Sequence, residues 1–285
     1  MGIKKVDIDE MLRTKAPGPY KFIPRFAINY VKRIVHENDI NDFLSKNGEK
    51  RGLDFINASI ERLGADIQIK GMENIPATGG YIFASNHPLG GLDGLAVIYS
   101  IAKFRTDIKF FVNELLLTLQ QLDNILVPVN INGNSTRSML EMVDKIYSSE
   151  MAIPIFPAGM VSRKAGKDEI KDLPWKKSFI TKSKYYHKDI VPIYIEGRNS
   201  NFFYNFASFR KKIGIKINLE MFFLADEMFG HKDKKVILHF GKPISWKVFD
   251  KSHNDAEWAN IFRDELYKKK GSIISEPLFP ANNVT

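Results

Sequence analysis

The chain has no cysteine in its 285 residues. That excludes disulfides, thiolate metal sites and a cysteine nucleophile, and it suits a reducing cytosol. Long apolar runs are also missing. The stretch from Ile101 to Ile131 comes closest, but Lys103, Arg105, Asp107, Lys109, Glu114 and Asp123 interrupt it, and a bilayer span needs about 20 apolar residues. The opening Met1-Gly2-Ile3-Lys4-Lys5 has no apolar core behind its lysines, so no signal peptide is expected. Gly2 opens no myristoylation motif, because Val6 stands where Ser or Thr is needed. A soluble or peripheral protein is expected. No histidine cluster shows metal-ligand spacing, and no internal repeat or nucleic-acid-binding motif is visible, so neither a metal nor nucleic acid is expected.

What the chain has in excess is positive charge: 42 Lys and Arg against 33 Asp and Glu, a net +9. The expected partner is anionic, either a membrane surface or an acidic carrier protein. Apolar residues make up 44% of the chain and include 21 Phe, ample for a buried core.

Residues 1–65 read as helical. Pro24 opens a pattern with Ile23, Ala27, Tyr30, Val31, Ile34 and Val35 on one face, and Leu53, Ile56, Ile60 and Leu63 continue at helical spacing. Such basic amphipathic helices either contact an anionic membrane or pack on the main domain. Residues 66–285 form the second unit, in which short apolar strands alternate with helices. Strands are expected at Asp66–Lys70, Tyr81–Ser85, Ile108–Val112, Ile125–Val129, Ala152–Phe156, Ile190–Ile195 and Val236–Phe240. Helices are expected at Leu92–Phe104, Ser135–Tyr147 and Trp175–Tyr186. The fold class is α/β, a central mixed sheet flanked by helices with an N-terminal helical appendage.

His87 follows the Tyr81–Ser85 strand and precedes Gly90-Gly91 and a helix, the place where open α/β sheets build active sites. Asp93 stands six positions later, near the helix start. A carboxylate there can hold one imidazole nitrogen and leave the other facing a substrate as a base. Alone, the pair reads more readily as a capping Asp beside a buried His. Three further stretches add weight. Phe156-Pro-Ala-Gly-Met-Val-Ser-Arg163 ends a strand in a turn and delivers Ser162 and Arg163 together. Asn132 to Arg137 opens a helix with a second cation, Arg137, and Val191-Pro-Ile193 repeats a strand proline. Either Arg could hold a phosphate or carboxylate bidentately.

In this order, the motifs resemble those of the glycerolipid acyltransferases over about residues 70–200. That family carries Asn-His, four residues, then Asp; a loop Arg; Phe-Pro-Glu-Gly-Thr-Arg-Ser; and Val-Pro-Ile. Trp175-Lys-Lys-Ser-Phe179 resembles the helix after the third motif. Here the His-to-Asp spacing is one residue longer and Ala158 replaces the motif's Glu. Both departures resemble a bacterial, hemolysin-like branch that includes the O-acyltransferases of ornithine and glycine lipids, as do Phe222–Phe229 and Gly241–Ser245.

The resemblance implies a peripheral enzyme on the inner face of the cell membrane. It would move an acyl chain from an acyl carrier protein or coenzyme A thioester, with no resident cofactor, to a lyso-lipid hydroxyl, a lyso-amino-lipid being favoured. His87 would act as base, Asp93 as its partner, and Asn86, Arg137, Gly159, Ser162 and Arg163 would bind substrate. Backbone N–H groups near Gly90 or Gly159 would hold the oxyanion. The absence of cysteine and of a Gly-x-Ser-x-Gly elbow argues against an acyl-enzyme. The alternatives are a lysophosphatidate acyltransferase and a non-catalytic basic lipid-binding protein.

Overall fold

The computed structural model describes residues 5–15, 17–113, 120–129, 137–166, 169–215 and 217–279. The chain opens with α1 (Ile8–Lys15), α2 (Pro17–Tyr20), α3 (Arg25–Ile34), α4 (Glu37–Asn47) and α5 (Leu53–Leu63). There follow β1 (Asp66–Lys70), β2 (Tyr81–Ser85), α6 (Gly91–Ala102), β3 (Phe110–Asn113), β4 (Leu126–Val129), α7 (Arg137–Ser148) and β5 (Ala152–Ile155). A small hairpin, β6 (Arg163–Lys164) with β7 (Ile170–Lys171), leads to α8 (Ser178–Tyr186), β8 (Ile190–Glu196), α9 (Asn201–Lys212), α10 (Leu224–Phe229), β9 (Lys235–Phe240) and α11 (Asp255–Lys269).

The sheet runs β1-β9-β8-β2-β5. Every neighbouring pair is parallel except β8 with β9, which run antiparallel with Ile193 opposite Phe240. A parallel bridge from Ile108 to Ala152 carries the sheet on to the parallel pair β3–β4. This is the mixed sheet expected from the sequence.

The central strands are apolar along their length because helices cover both faces. On β2, Phe83 enters the core shared with α5 and α6, while Ile82 and Ala84 enter the opposite core with α8 and α11, the alternation a strand imposes. Since β5, β2 and β8 are parallel, their carboxyl ends share one edge. That edge collects the segments after Ser85, Ile155 and Glu196.

Four elements refine or extend the sequence reading. For the stretch 52–63 the packing alternative holds: Phe55, Ile56, Ile60 and Leu63 of α5 are buried in the core against α6. The helix read from Trp175 begins at Ser178, because Trp175 is buried and its indole N–H donates to Asp172. Phe202–Phe206 lies within helix α9, capped by the Ser200 hydroxyl accepting from the Phe203 N–H. Helix α11 went unread, although Asn254 and Glu257 form a reciprocal capping box at its start.

Candidate active site

The turn between β2 and α6 closes on a single carboxylate. Asp93, fully buried, accepts from His87 Nδ1 at 2.9 Å, from the Leu89 N–H at 2.7 Å and from the Gly90 N–H at 3.1 Å, all through Oδ2. The longer His-to-Asp spacing therefore preserves the contact. Gly90 makes the turn possible: its φ of 83° suits glycine, and an added Cβ would lie 3.2 Å from Leu224.

Because Nδ1 faces a carboxylate, it carries the ring proton, and Nε2 is left with its lone pair. Nε2 makes no hydrogen bond among the described residues, and the side chain is 17% exposed. The ring stacks on Phe156, centroids 4.1 Å apart and nearly parallel, and Phe156 is held edge-on by Phe110. Complete burial pushes the Asp93 carboxyl above its ordinary range, against the pull of His87 and of the two backbone donors. Its Oδ1 has no partner among the described residues.

Asn86 fastens this turn to the sheet. Its amide donates to the Ile195 carbonyl at 2.9 Å and accepts from the Ile195 N–H at 2.7 Å. Both ends of the amide are thereby bonded to the Ile195 backbone, which anchors the residue preceding His87.

Ser162 is drawn into a second hub. Its N–H donates to the His87 carbonyl at 2.8 Å, and its hydroxyl donates to Asp172 Oδ1 at 2.6 Å. Asp172 also accepts from the Tyr267 hydroxyl (3.0 Å), the His87 N–H (3.3 Å) and the Trp175 indole (2.9 Å). Burial, with Asp172 alongside, holds the Tyr267 phenol far above its usual range, so it stays a proton donor. Asp172 and Tyr267 escaped the sequence reading because neither belongs to a recognisable motif. They fix the backbone beside His87, and the Ser162 hydroxyl is taken up with them.

The Phe156–Gly159 turn closes with the Gly159 N–H donating to the Phe156 carbonyl at 2.9 Å. This N–H and that of Gly90 are both engaged within their own turns. Gly159 has φ 66°, and a Cβ there would sit 3.4 Å from Lys176 Nζ. Ala158 is buried in the cluster that includes Trp175 and Phe179; a glutamate in its place would bury a carboxylate among apolar neighbours.

Arg163 reaches Glu220 at 3.1 Å, donates to the Val161 carbonyl at 3.0 Å and lies over the Phe203 ring. Desolvation draws its pKa down, and Glu220 draws it back. Arg210 grips the same fully buried carboxylate at 2.6 and 3.1 Å. Beyond Glu220 the chain enters α10, whose Leu224 and Met228 cover the Gly90-Gly91 turn. Arg137, by contrast, stands 94% exposed at the start of α7 and pairs with Glu141; no contact among the described residues joins it to this set. A surface concavity of about 490 Å³ at the start of α11, lined by Lys177, Lys184, Asp250, Lys251 and His253 among others, includes no residue of the His87 site.

A histidine held through Nδ1 by a buried carboxylate, with its Nε2 unbonded among the described residues and no cysteine in the chain, is a geometry suited to direct group transfer. The family model described as Acyltransferase matches residues 10–275, and the chain belongs to that family. It is an acyltransferase. Two relatives named lyso-glycine lipid O-acyltransferase are each 46% identical over 264 residues, 92% of this chain. One is from Phocaeicola vulgatus and is covered to 94%; the other, from Bacteroides thetaiotaomicron, is covered to 97%. Among solved structures, the 1-acyl-sn-glycerophosphate (LPA) acyltransferase PlsC from Thermotoga maritima matches with a TM-score of 0.47 and 16% identity, over 91% of this chain and 90% of that one.

Proposed function

We propose that the protein moves a fatty acyl chain from a thioester to the hydroxyl of a lyso-amino-lipid, with lyso-glycine lipid as the first candidate. The observation that carries this reading is the free Nε2 of a His87 locked by Asp93, in a chain whose 46% identical relatives bear that activity in their names. Nε2 takes the proton from the acceptor hydroxyl, whose oxygen attacks the thioester carbonyl carbon. The tetrahedral adduct collapses, the C–S bond breaks, and His87 returns the proton to the departing thiolate. The products are an ester and a free thiol, with no enzyme-bound acyl group. Arg163 holds the acceptor's anionic head group, and Leu224 and Met228 offer an apolar wall to a chain.

The working surface is the inner face of the membrane, where cytoplasmic thioesters of acyl carrier protein or coenzyme A meet lyso-lipid. No helix among the described residues is long and apolar enough to cross a membrane. Support for docking comes from Phe22 and Phe26, 86% and 77% exposed, beside Lys21 and Arg25. Tyr30 and the exposed Phe202 both pack on Phe223, which joins this end of α3 to α9 and its Lys211 and Lys212. Vesicle co-sedimentation should show binding to anionic lipid that weakens with salt and falls in the Phe22→Ser/Phe26→Ser double variant.

The deciding assay gives purified protein each thioester in turn with lyso-glycine lipid, lyso-ornithine lipid and lysophosphatidate. Transfer to an amino-lipid is the expected result. Transfer to lysophosphatidate alone would overturn the acceptor assignment, and no transfer to any of the three would overturn the proposed choice of acceptor or donor.

A further inference from the structure

We infer that Glu220 sets the charge of the acceptor's anion seat and thereby selects a singly charged head group over a phosphate monoester. This rests on the reading of Arg163 as the head-group ligand. Two guanidinium groups share one carboxylate: Arg163 meets Glu220 Oε1 at 3.1 Å, and Arg210 meets Oε2 at 2.6 Å and Oε1 at 3.1 Å. The count is two positive charges and one negative, a surplus of +1.

The surplus is Arg163's. Arg210 also donates to the Ile215 carbonyl and to Asn218, whereas two of Arg163's four hydrogen bonds among the described residues are long, to the Ser162 carbonyl at 3.4 Å and to Met221 Sδ at 3.8 Å. Arg163 is the more exposed of the two and follows Ser162, whose N–H is bonded to the His87 carbonyl. Lys164, Arg198, Lys211 and Lys212, further cations of this region, are solvent-exposed, so their charges are screened. Glu220 itself is fully buried, where a unit of charge weighs far more.

A glycine carboxylate brings one negative charge and leaves the seat neutral. A phosphate monoester brings about −1.5 to −2 at neutral pH, and the excess would stand beside the buried Glu220. Glu220 stands 57 positions beyond Arg163 in the chain. Here it subtracts charge from the seat.

The test measures kcat/KM of the full chain for lyso-glycine lipid and for lysophosphatidate in mixed micelles, with thermal melts alongside. E220Q raises the seat to +2, R210Q lowers it to zero, and E220Q/R210Q restores +1. If charge decides, E220Q shifts the ratio toward lysophosphatidate by at least about tenfold, mostly through acceptor KM. R210Q shifts it the other way, and the double variant returns it close to the native ratio. E220D, which keeps the charge, keeps the ratio. A folded E220Q with an unmoved ratio overturns the inference, as does a double variant that follows E220Q. Should E220Q not fold, R210Q decides: a ratio shifted away from lysophosphatidate supports the inference, and an unmoved one overturns it. Native protein that acylates neither lipid would instead defeat the proposed function.

Discussion

The proposed base and the proposed anion seat are linked through Ser162, whose N–H donates to the His87 carbonyl, but they are built in opposite ways. The His87–Asp93 clamp is local. Every donor to the Asp93 carboxylate comes from the six residues before it, and one glycine turn brings them together. The seat is non-local, with Arg163, Arg210 and Glu220 arriving on β6, on α9 and on the segment before α10. The clamp can be formed by a short segment whose backbone is already turning. The seat exists only after α9 and the following chain have packed against β6. Mutations in the clamp should therefore change chemistry with little change of fold, whereas those in the seat and its supports should mix binding with stability.

The largest effect is expected at the base. His87→Ala should lower kcat by at least about 100-fold with an almost unchanged melting temperature; activity close to native would remove His87 from the mechanism. Asp93→Asn should cost about 10- to 100-fold in kcat through loss of the tautomer lock, and its stability carries a sign. Because burial raises the folded-state pKa of Asp93 above its ordinary 3.8, the folded chain holds that proton to higher pH than the unfolded one. Between the two values native stability falls as pH rises. Asparagine cannot ionise, so melting scans from acid to neutral pH should show the variant gaining on the native protein.

At the seat, Arg163→Lys should raise acceptor KM by about tenfold, since an ammonium cannot keep Glu220 and a bidentate head group at once; equal KM values would separate Arg163 from the acceptor. In the support beneath, Tyr267→Phe removes a donor from Asp172 and should cost about 1 kcal/mol, read as a melting shift of about 2–4 °C. Smallest of all, Arg137→Ala should change kcat/KM by less than about twofold, as for an exposed i,i+4 pair. A larger loss would mean that α7 contributes to the site after all.

Legibility in the sequence followed the same division. Residue type and short spacing carry His87, Asp93, the glycine turn and the apolar strands of a mixed sheet, because local backbone geometry and period-two burial leave marks over a few positions. Asn86 was visible as part of a motif, but its job was not. Only the folded chain puts the Ile195 backbone against both ends of its amide, 109 residues away. Ser162 and Arg163 were visible as a pair, yet one is held by Asp172 and Tyr267 and the other by Glu220. Amphipathicity marked both α3 and α5, and packing alone sent α5 into the core while leaving Phe22 and Phe26 exposed beside α3.

By itself, then, the sequence determined the His87–Asp93 pair and the kind of sheet that presents it, since each follows from neighbours within a turn or a strand. Tertiary structure decided which polar groups remain free for substrate and what charge surrounds Arg163. The reason is physical: whether a buried group is satisfied depends on partners 57, 85 and 95 residues distant, and no local pattern records a contact that forms only when the sheet edge, α9 and α11 close on one another.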